Sequence, residues 1–353
     1  MRIFWAGFPG PCGGANTECW HTAKLLREHG VEITFLPTAG ADLNSPTSMK
    51  DDLLRIGCDI QQVKRQDLKT IDGIGDSVVV SMCNNNFLRV AKDFRDLGCR
   101  VVWVNCMTLV YRVEIAHYTG YGKTFDAYVF QSDWQRAKVE KVLEKFGYSP
   151  EQGHLIRGAF DVSEYPFRPR VHWPKTRLVV GRLARGMPDK WSSNHWPILL
   201  QAHRLIEARC MAWSDPVERK LKRPPDVLPA VLLKSCEEPV SEFLAACHCL
   251  LAVNGGAGEN WPRTGLEAMA AGVPIIAQGQ WGWKEMIEHG RTGLLADPQD
   301  EFNELADHVR EFYDNEELRM HLALEARREV AEVHANPERI WPKWETLLKE
   351  LGA

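Results

Sequence analysis

The stretch Glu259-Asn260-Trp261-Pro262-Arg263-Thr264-Gly265-Leu266-Glu267-Ala268-Met269-Ala270-Ala271-Gly272-Val273-Pro274 decides how the 353-residue chain is read. One apolar run ends near Val253, just before it, and residues 274–277 form another just after it. Between them the spacing predicts a helix over 264–271. Strand, loop, helix and strand within so few residues make the repeating unit of a parallel α/β sheet. The free backbone N–H groups at the helix start form a positive pocket suited to a diphosphate. Glu259 and Glu267 flank that pocket as acceptors for sugar hydroxyls. A second reading stays open: Thr264 and Glu267 also spell a Thr-x-x-Glu capping box, in which Glu267 serves only the helix.

The same alternation runs outward in both directions. Short β-branched runs at 1–6, 31–36, 77–82, 100–104 and 127–131 alternate with helical or polar stretches. The first helix, over 16–29, ends at Gly30, a suitable C′ glycine. Runs at 177–180, 230–234, 250–253 and 274–277 repeat the pattern, with helices over 264–271 and 301–313. Residues 159–175 carry Pro166, Pro169 and Pro174 with little periodicity and read as a linker. The length is about twice that of a usual domain. Two doubly wound α/β domains are therefore expected, residues 1–160 and 161–335, with the ligand cleft between them. A C-terminal helix over 336–353 is expected to pack back on the first domain. The stretch 316–351 reads as helical, interrupted near Asn336-Pro337 and at Pro342. The segment 213–229, with Arg219-Lys220, Lys222-Arg223 and several prolines, reads as an exposed insertion.

Composition excludes some classes. Lys+Arg 43 against Asp+Glu 47 gives a net charge of -4, so the chain as a whole is not a polyanion binder. The 10 cysteines show no repeated Cys-x-x-Cys spacing. Cys247-His248-Cys249 sits in an apolar run and lacks a second ligand pair at zinc spacing. Buried, reduced thiols are expected. No apolar run reaches the ~18–20 residues that span a bilayer. The N-terminal apolar stretch 3–8 is too short for a secretory signal, so a cytoplasmic location is expected.

The opening stretch resembles the Glu-x7-Glu signature of the retaining, family-4-type glycosyltransferases (glycosyl transferases group 1). The likeness extends through Gly282-Trp283-Lys284-Glu285 and Gly290-Arg291-Thr292-Gly293-Leu294-Leu295-Ala296-Asp297-Pro298. It takes in Gly181-Arg182-Leu183 with Lys190, and Gly158-Ala159-Phe160-Asp161 with Phe167 and Pro169. The resemblance implies a GT-B fold: two Rossmann-like, doubly wound parallel-sheet domains facing a central cleft. It implies transfer of a sugar, a hexose, from a UDP- or GDP-sugar to an acceptor hydroxyl, with no cofactor and no metal.

Carried across residue by residue, the resemblance implies that Glu259, Arg182 and Lys190 form the catalytic set. Arg182 and Lys190 would grip the donor diphosphate, and Glu259 would meet the transferred sugar. Glu267 would bind the ribose. Arg185 is the substitute should the long insert 184–189 displace Lys190. The family usually has glycine where Pro262 stands, and proline offers no N–H. The backbone contact to the donor therefore falls to Arg263, Thr264 or Gly265. In the first domain Gly13 and Gly14 occupy the place of a glycine loop against the donor phosphate. The family's first-domain histidine is missing at the strand end Val104-Asn105-Cys106-Met107-Thr108. Asn105, Cys106 or the downstream His117 are its candidate replacements, and Trp281 and Trp283 complete the candidate acceptor and sugar side.

No well-placed nucleophile is evident, and the family's mechanism assigns the acceptor's proton to the leaving diphosphate. The protein then needs to stabilise phosphate charge and position two substrates. The lack of an Asp-x-Asp strand end agrees with metal independence. The favoured acceptor is a saccharide or small molecule. The basic and aromatic run Arg168-Pro169-Arg170-Val171-His172-Trp173-Pro174-Lys175-Thr176-Arg177 keeps a second reading open, a phage-type transferase acting on hydroxymethylated pyrimidines in DNA. Otherwise it is a solvated linker. A nucleotide-sugar 2-epimerase and a non-catalytic sugar-nucleotide-binding protein are further alternatives. Of the 13 tryptophans, at least half are expected in the core.

Overall fold

The computed structural model describes residues 1–10, 13–38, 43–45 and 48–353. It divides into two units, Met1–Phe160 with Pro337–Ala353, and Asp161–Asn336.

In chain order the first unit contains β1 (Arg2–Ala6), α1 (Gly14–Glu28), β2 (Glu32–Leu36), α2 (Lys50–Arg55), β3 (Asp59–Ile60) and β4 (Val78–Met82). It continues with α3 (Asn85–Asp96), β5 (Arg100–Val104), α4 (Arg112–Tyr121), β6 (Ala127–Phe130), α5 (Asp133–Leu143) and β7 (Gly153–Leu155). The strands form one sheet in the order β3-β2-β1-β4-β5-β6-β7, every pairing parallel. Alternation decides which face each side chain joins. Ile3, Trp5, Val78, Val80, Val102 and Val104 lie in one core with Cys19, Ala23 and Leu26 of α1. Phe4, Ala6, Val79, Val101 and Trp103 lie in another with Phe87, Ala91 and Phe94 of α3. Strands apolar on both faces are what a sheet covered on both sides requires.

The second unit contains β8 (Leu178–Leu183), α6 (His195–Ala202), β9 (Ile206–Met211), α7 (Asp215–Leu221), β10 (Ala230–Leu233), α8 (Val240–Ala245) and β11 (Cys249–Ala252). It continues with α9 (Arg263–Ala271), β12 (Ile275–Gln278), α10 (Trp283–Met286), β13 (Leu294–Ala296), α11 (Glu301–Asp314) and α12 (Glu316–Glu329). Its sheet runs β10-β9-β8-β11-β12-β13, again all parallel. Helix α13 (Pro337–Glu350) belongs to the first unit, where Ile340, Trp344, Leu347 and Leu348 join the α1 core.

Several local expectations are corrected. The break near Asn336 is real, a π-turn over Val330–His334, but Pro342 lies inside α13 without ending it. Pro342 is on the exposed side, where water can take the carbonyl that lost its amide partner. Segment 213–229 is no free insertion. It holds α7, capped by Ser214 on Val217 N–H at 3.4 Å, and Trp213 stands edge-on to Trp191 at 5.6 Å. The run 168–177 is largely docked: Phe167 and Pro169 crowd Gly272, and buried His172 lies 5.0 Å from the Tyr313 ring, while Trp173 is exposed. Among the described residues, eight cysteines are free thiols, six of them buried, but exposed Cys236 is disulfide-bonded. Among the described residues, no helix is long and apolar enough to cross a membrane.

Candidate active site

Both sheets reverse their strand order once, between β1 and β4 and between β8 and β11. The carboxyl ends of the strands flanking such a reversal leave a crevice where neighbouring loops diverge, the usual ligand position of open α/β sheets.

In the second unit this crevice collects four polar side chains. Arg182 lies near the end of β8 and is buried, with its guanidinium 5.6 Å from the Trp191 ring. Its Nη2 donates to Asn254 Oδ1 at 2.7 Å and to the Lys190 carbonyl. Asn254, two residues past β11, donates from Nδ2 to Glu259 Oε1 and to the Ala257 carbonyl, each at 2.8 Å. The Lys190 ammonium closes the chain on Glu259 Oε1 at 2.8 Å. Burial draws the Arg182 guanidinium down to about 10, with Glu259 pulling the other way, so it stays charged at neutral pH. Lys190 and Glu259 keep side-chain exposures of 17% and 18%, so this pair, and not Arg182, borders solvent.

Two backbone segments hold this chain in register. The Asp189 carbonyl accepts the N–H groups of Gly255 and Ala257, both at 3.0 Å. With the insert so held, Lys190 lies against Glu259. Arg185 instead pairs with Asp189 at 3.2 Å, half exposed.

Helix α9 begins beside the Glu259 loop. Its N-cap is Pro262, with no side-chain cap bond, and Thr264 is its second residue. The Thr-x-x-Glu capping box is therefore not formed, because the helix starts two residues earlier than its pattern requires, which leaves Thr264 inside the first turn and not at the cap. Gly265 N–H donates to the Pro262 carbonyl at 2.9 Å, which occupies one of the three amides expected to face a donor. Gly265 serves packing as well: a Cβ there would strike Met286 Sδ and come within 2.9 Å of Trp283. Trp283 is correspondingly buried, and its indole face is not open to a sugar. Trp281 is only partly buried and has a φ of 56°. Glu267 is buried one turn into α9. Burial raises its carboxyl above the ordinary range, opposed by the Arg263 charge and a hydrogen bond from Tyr165.

In the first unit, a cavity of about 230 Å³ at the β1–β4 crevice is lined by Gly7, Phe8, Asn16, Cys83 and Asn84 among others. Gly13 is the N-cap of α1, with φ 102°, and its carbonyl accepts from Asn16 and Thr17 N–H at 3.0 Å. Gly14 is the first helical residue, and both glycines are exposed. Pro11 and Cys12 of the same loop lie outside the described residues. Asn105 is buried and builds its own turn, donating to the Leu109 carbonyl at 3.0 Å and accepting from Met107 N–H at 2.8 Å. Cys106 N–H donates to Cys83 Sγ at 2.8 Å. His117 faces elsewhere. It stacks on Phe125 at 5.0 Å and Tyr121 at 5.7 Å and meets Arg95 at 3.3 Å. Burial and then Arg95 pull it down to about 4, so it is neutral at physiological pH.

Sequence reasoning missed Asn254, Tyr165 and the ring under Arg182. Only Asn254 carried a signal, an Asn-Gly-Gly turn directly after a buried strand.

Residues 174–315 match the model of the family described as glycosyl transferases group 1. The N-acetyl-alpha-D-glucosaminyl L-malate synthase of Bacillus anthracis is 33% identical over 117 residues, which is 33% of this chain and 30% of that protein. The match thus spans under a third of that relative's length. Among solved structures, Anabaena HepE in complex with UDP-glucose superposes with a TM-score of 0.73 at 16% identity, covering 99% of this chain and 100% of that one. Sucrose-phosphate synthase from Thermosynechococcus elongatus gives 0.72 at 15% identity, covering 99% of each chain. At these identities the likeness is one of fold, and the fold is GT-B.

Proposed function

With residues 174–315 matching the group 1 glycosyl transferases and the whole chain in the GT-B fold, we propose that this protein is a retaining glycosyltransferase. It moves a hexose from a nucleoside-diphosphate sugar, UDP- or GDP-linked, to an acceptor hydroxyl. The observation that carries the reading is the convergence of Arg182, Lys190 and Glu259 at the β8–β11 crevice through Asn254. A cation beside a carboxylate at a strand-end crevice suits a ligand with phosphate at one end and hydroxyls at the other.

On donor binding, the Lys190 ammonium exchanges Glu259 for diphosphate oxygens, and the freed carboxylate accepts from sugar hydroxyls. Arg182 acts from below, fixing Asn254 and adding a positive field that strengthens as the diphosphate departs. The leaving diphosphate takes the acceptor proton on the face it vacates, so no protein nucleophile is needed. The ionic ends of the ligand are met by protein cations, and the reaction is assigned no metal. Glu267, held by Tyr165 and Arg263, receives the ribose hydroxyls.

The acceptor is a small molecule or saccharide, a reading supported by the acceptor in the malate synthase's printed name. The test is mass spectrometry of UDP-, GDP- and ADP-sugars, each alone and with pooled small-molecule, saccharide and hydroxymethylcytosine-DNA acceptors. A hexose mass on one acceptor, matched by nucleoside diphosphate, supports transfer and identifies both substrates. Isomerised donor without an acceptor would instead indicate an epimerase.

A further inference from the structure

Lys220 lies in the last turn of α7, within the segment that the sequence marked as an insertion. Its ammonium donates to the Pro188 carbonyl at 2.7 Å and to the Gly255 carbonyl at 3.3 Å. Those carbonyls belong to the two segments that carry Lys190 and Glu259. Among the described residues no carboxylate pairs with Lys220, so its charge is directed at the two backbone oxygens. Gly255 is fitted to this contact: a Cβ there would collide with both the Lys220 ammonium and the Trp191 carbonyl.

We infer that Lys220 is a positioning residue that staples the 188–190 segment to the 255–259 segment, and so sets the Lys190–Glu259 spacing that receives the donor. This rests on the donor-site reading above. The staple has a physical reason. A long insert between β8 and Lys190 carries more conformational freedom than a short turn, and that freedom must be removed before Lys190 can face Glu259 reliably. The Asp189 carbonyl, accepting two amides from the facing segment, supplies part of the restraint. Lys220 supplies the rest from a separate helix, whose start is capped by Ser214 and whose Leu221 is buried in the core. Its long side chain lets a solvent-exposed residue act on the site without touching a ligand.

The experiment compares wild type, Lys220→Met and Lys220→Arg in two readouts. Hydrogen exchange on the ligand-free proteins follows the Gly255 and Ala257 amides, which donate to Asp189. Calorimetric titration with UDP, GDP and ADP measures the site itself. In Lys220→Met both amides should exchange at least about 10-fold faster, and affinity for the nucleotide that wild type binds should fall about 5- to 20-fold. Lys220→Arg, which keeps a cation and several donors, should recover most of both. Unchanged exchange in Lys220→Met overturns the staple. Faster exchange with undiminished affinity overturns the positioning role while leaving the donor site intact. Wild type that binds none of the three nucleotides overturns the donor-site reading and this role with it.

Discussion

The Lys190 ammonium and the Glu259 carboxylate, 69 residues apart in sequence, meet at 2.8 Å at the mouth of the β8–β11 crevice. The pair is mostly shielded from water, so screening discounts it less than an exposed bridge. Under the proposed function each partner meets one end of a nucleoside-diphosphate sugar, and the pair holds the site until the donor replaces it.

Lys190→Met should therefore weaken nucleoside-diphosphate binding about 10- to 100-fold, the range of one charge-assisted contact. Titration with the nucleotide that wild type prefers checks this. An unchanged affinity would place the diphosphate elsewhere.

Arg182→Met should cost stability as well as activity. It leaves the Asn254 Oδ1 and Lys190 carbonyl acceptors short of a donor in a buried setting, a loss of about 2–3 kcal/mol. Chemical denaturation measures it. Arg185→Met, which removes only an exposed pair with Asp189, should change the midpoint little.

Glu114 gives a pH dependence with a definite sign. This buried carboxyl accepts from the Tyr118 hydroxyl at 2.6 Å and from Tyr111 N–H at 3.3 Å, and burial pushes it up to about 7. Between the unfolded carboxyl's pKa of about 4.3 and the folded value, the unfolded chain has released a proton that the folded one retains. Stability from this group is thus full below about pH 4 and falls as pH rises toward 7, by roughly 4 kcal/mol at most. Glu114→Gln should remove that slope, which denaturation of both proteins at pH 5 and pH 7.5 would reveal. Parallel stability curves would contradict it.

His117→Phe should retain transfer activity within about twofold. The imidazole is neutral, stacked among Tyr121 and Phe125, and bonded to Arg95, all consistent with a packing role. A loss of turnover beyond about 10-fold with an intact fold would restore it as a site residue.

The sheet strands that sequence makes visible are those apolar on both faces. Val78, Val79 and Val80 of β4, and Leu250 and Leu251 of β11, announce themselves because helices cover both sides. Strand β9 escapes notice because Glu207 and Arg209 alternate with its buried residues, and Arg209 is matched by Glu238 at 2.7 Å, a partner 29 residues away. The three-residue strands β7 and β13 and the two-residue β3 are too short to show a period. Within the site, Arg182, Lys190 and Glu259 were legible through motif resemblance, and the structure brings them together. Tyr165 and Lys220 were not, because their roles come from contacts between distant segments. Trp283 misled for the opposite reason: an indole in a glycine-flanked loop reads as a surface for sugars, yet here it fills the space that Gly265 leaves. Seven of the 13 tryptophans are buried, so most indoles of this chain serve the core.

The most direct test of the central claim is donor turnover by Glu259→Gln, measured as nucleoside diphosphate released together with hexose mass gained by the acceptor. The substitution keeps the size and one acceptor oxygen but removes the charge that faces Lys190. A fall of at least about 100-fold in coupled transfer, with a folded protein by thermal melt, is the predicted result. Transfer at the wild-type rate would contradict the account and move the donor away from the β8–β11 crevice.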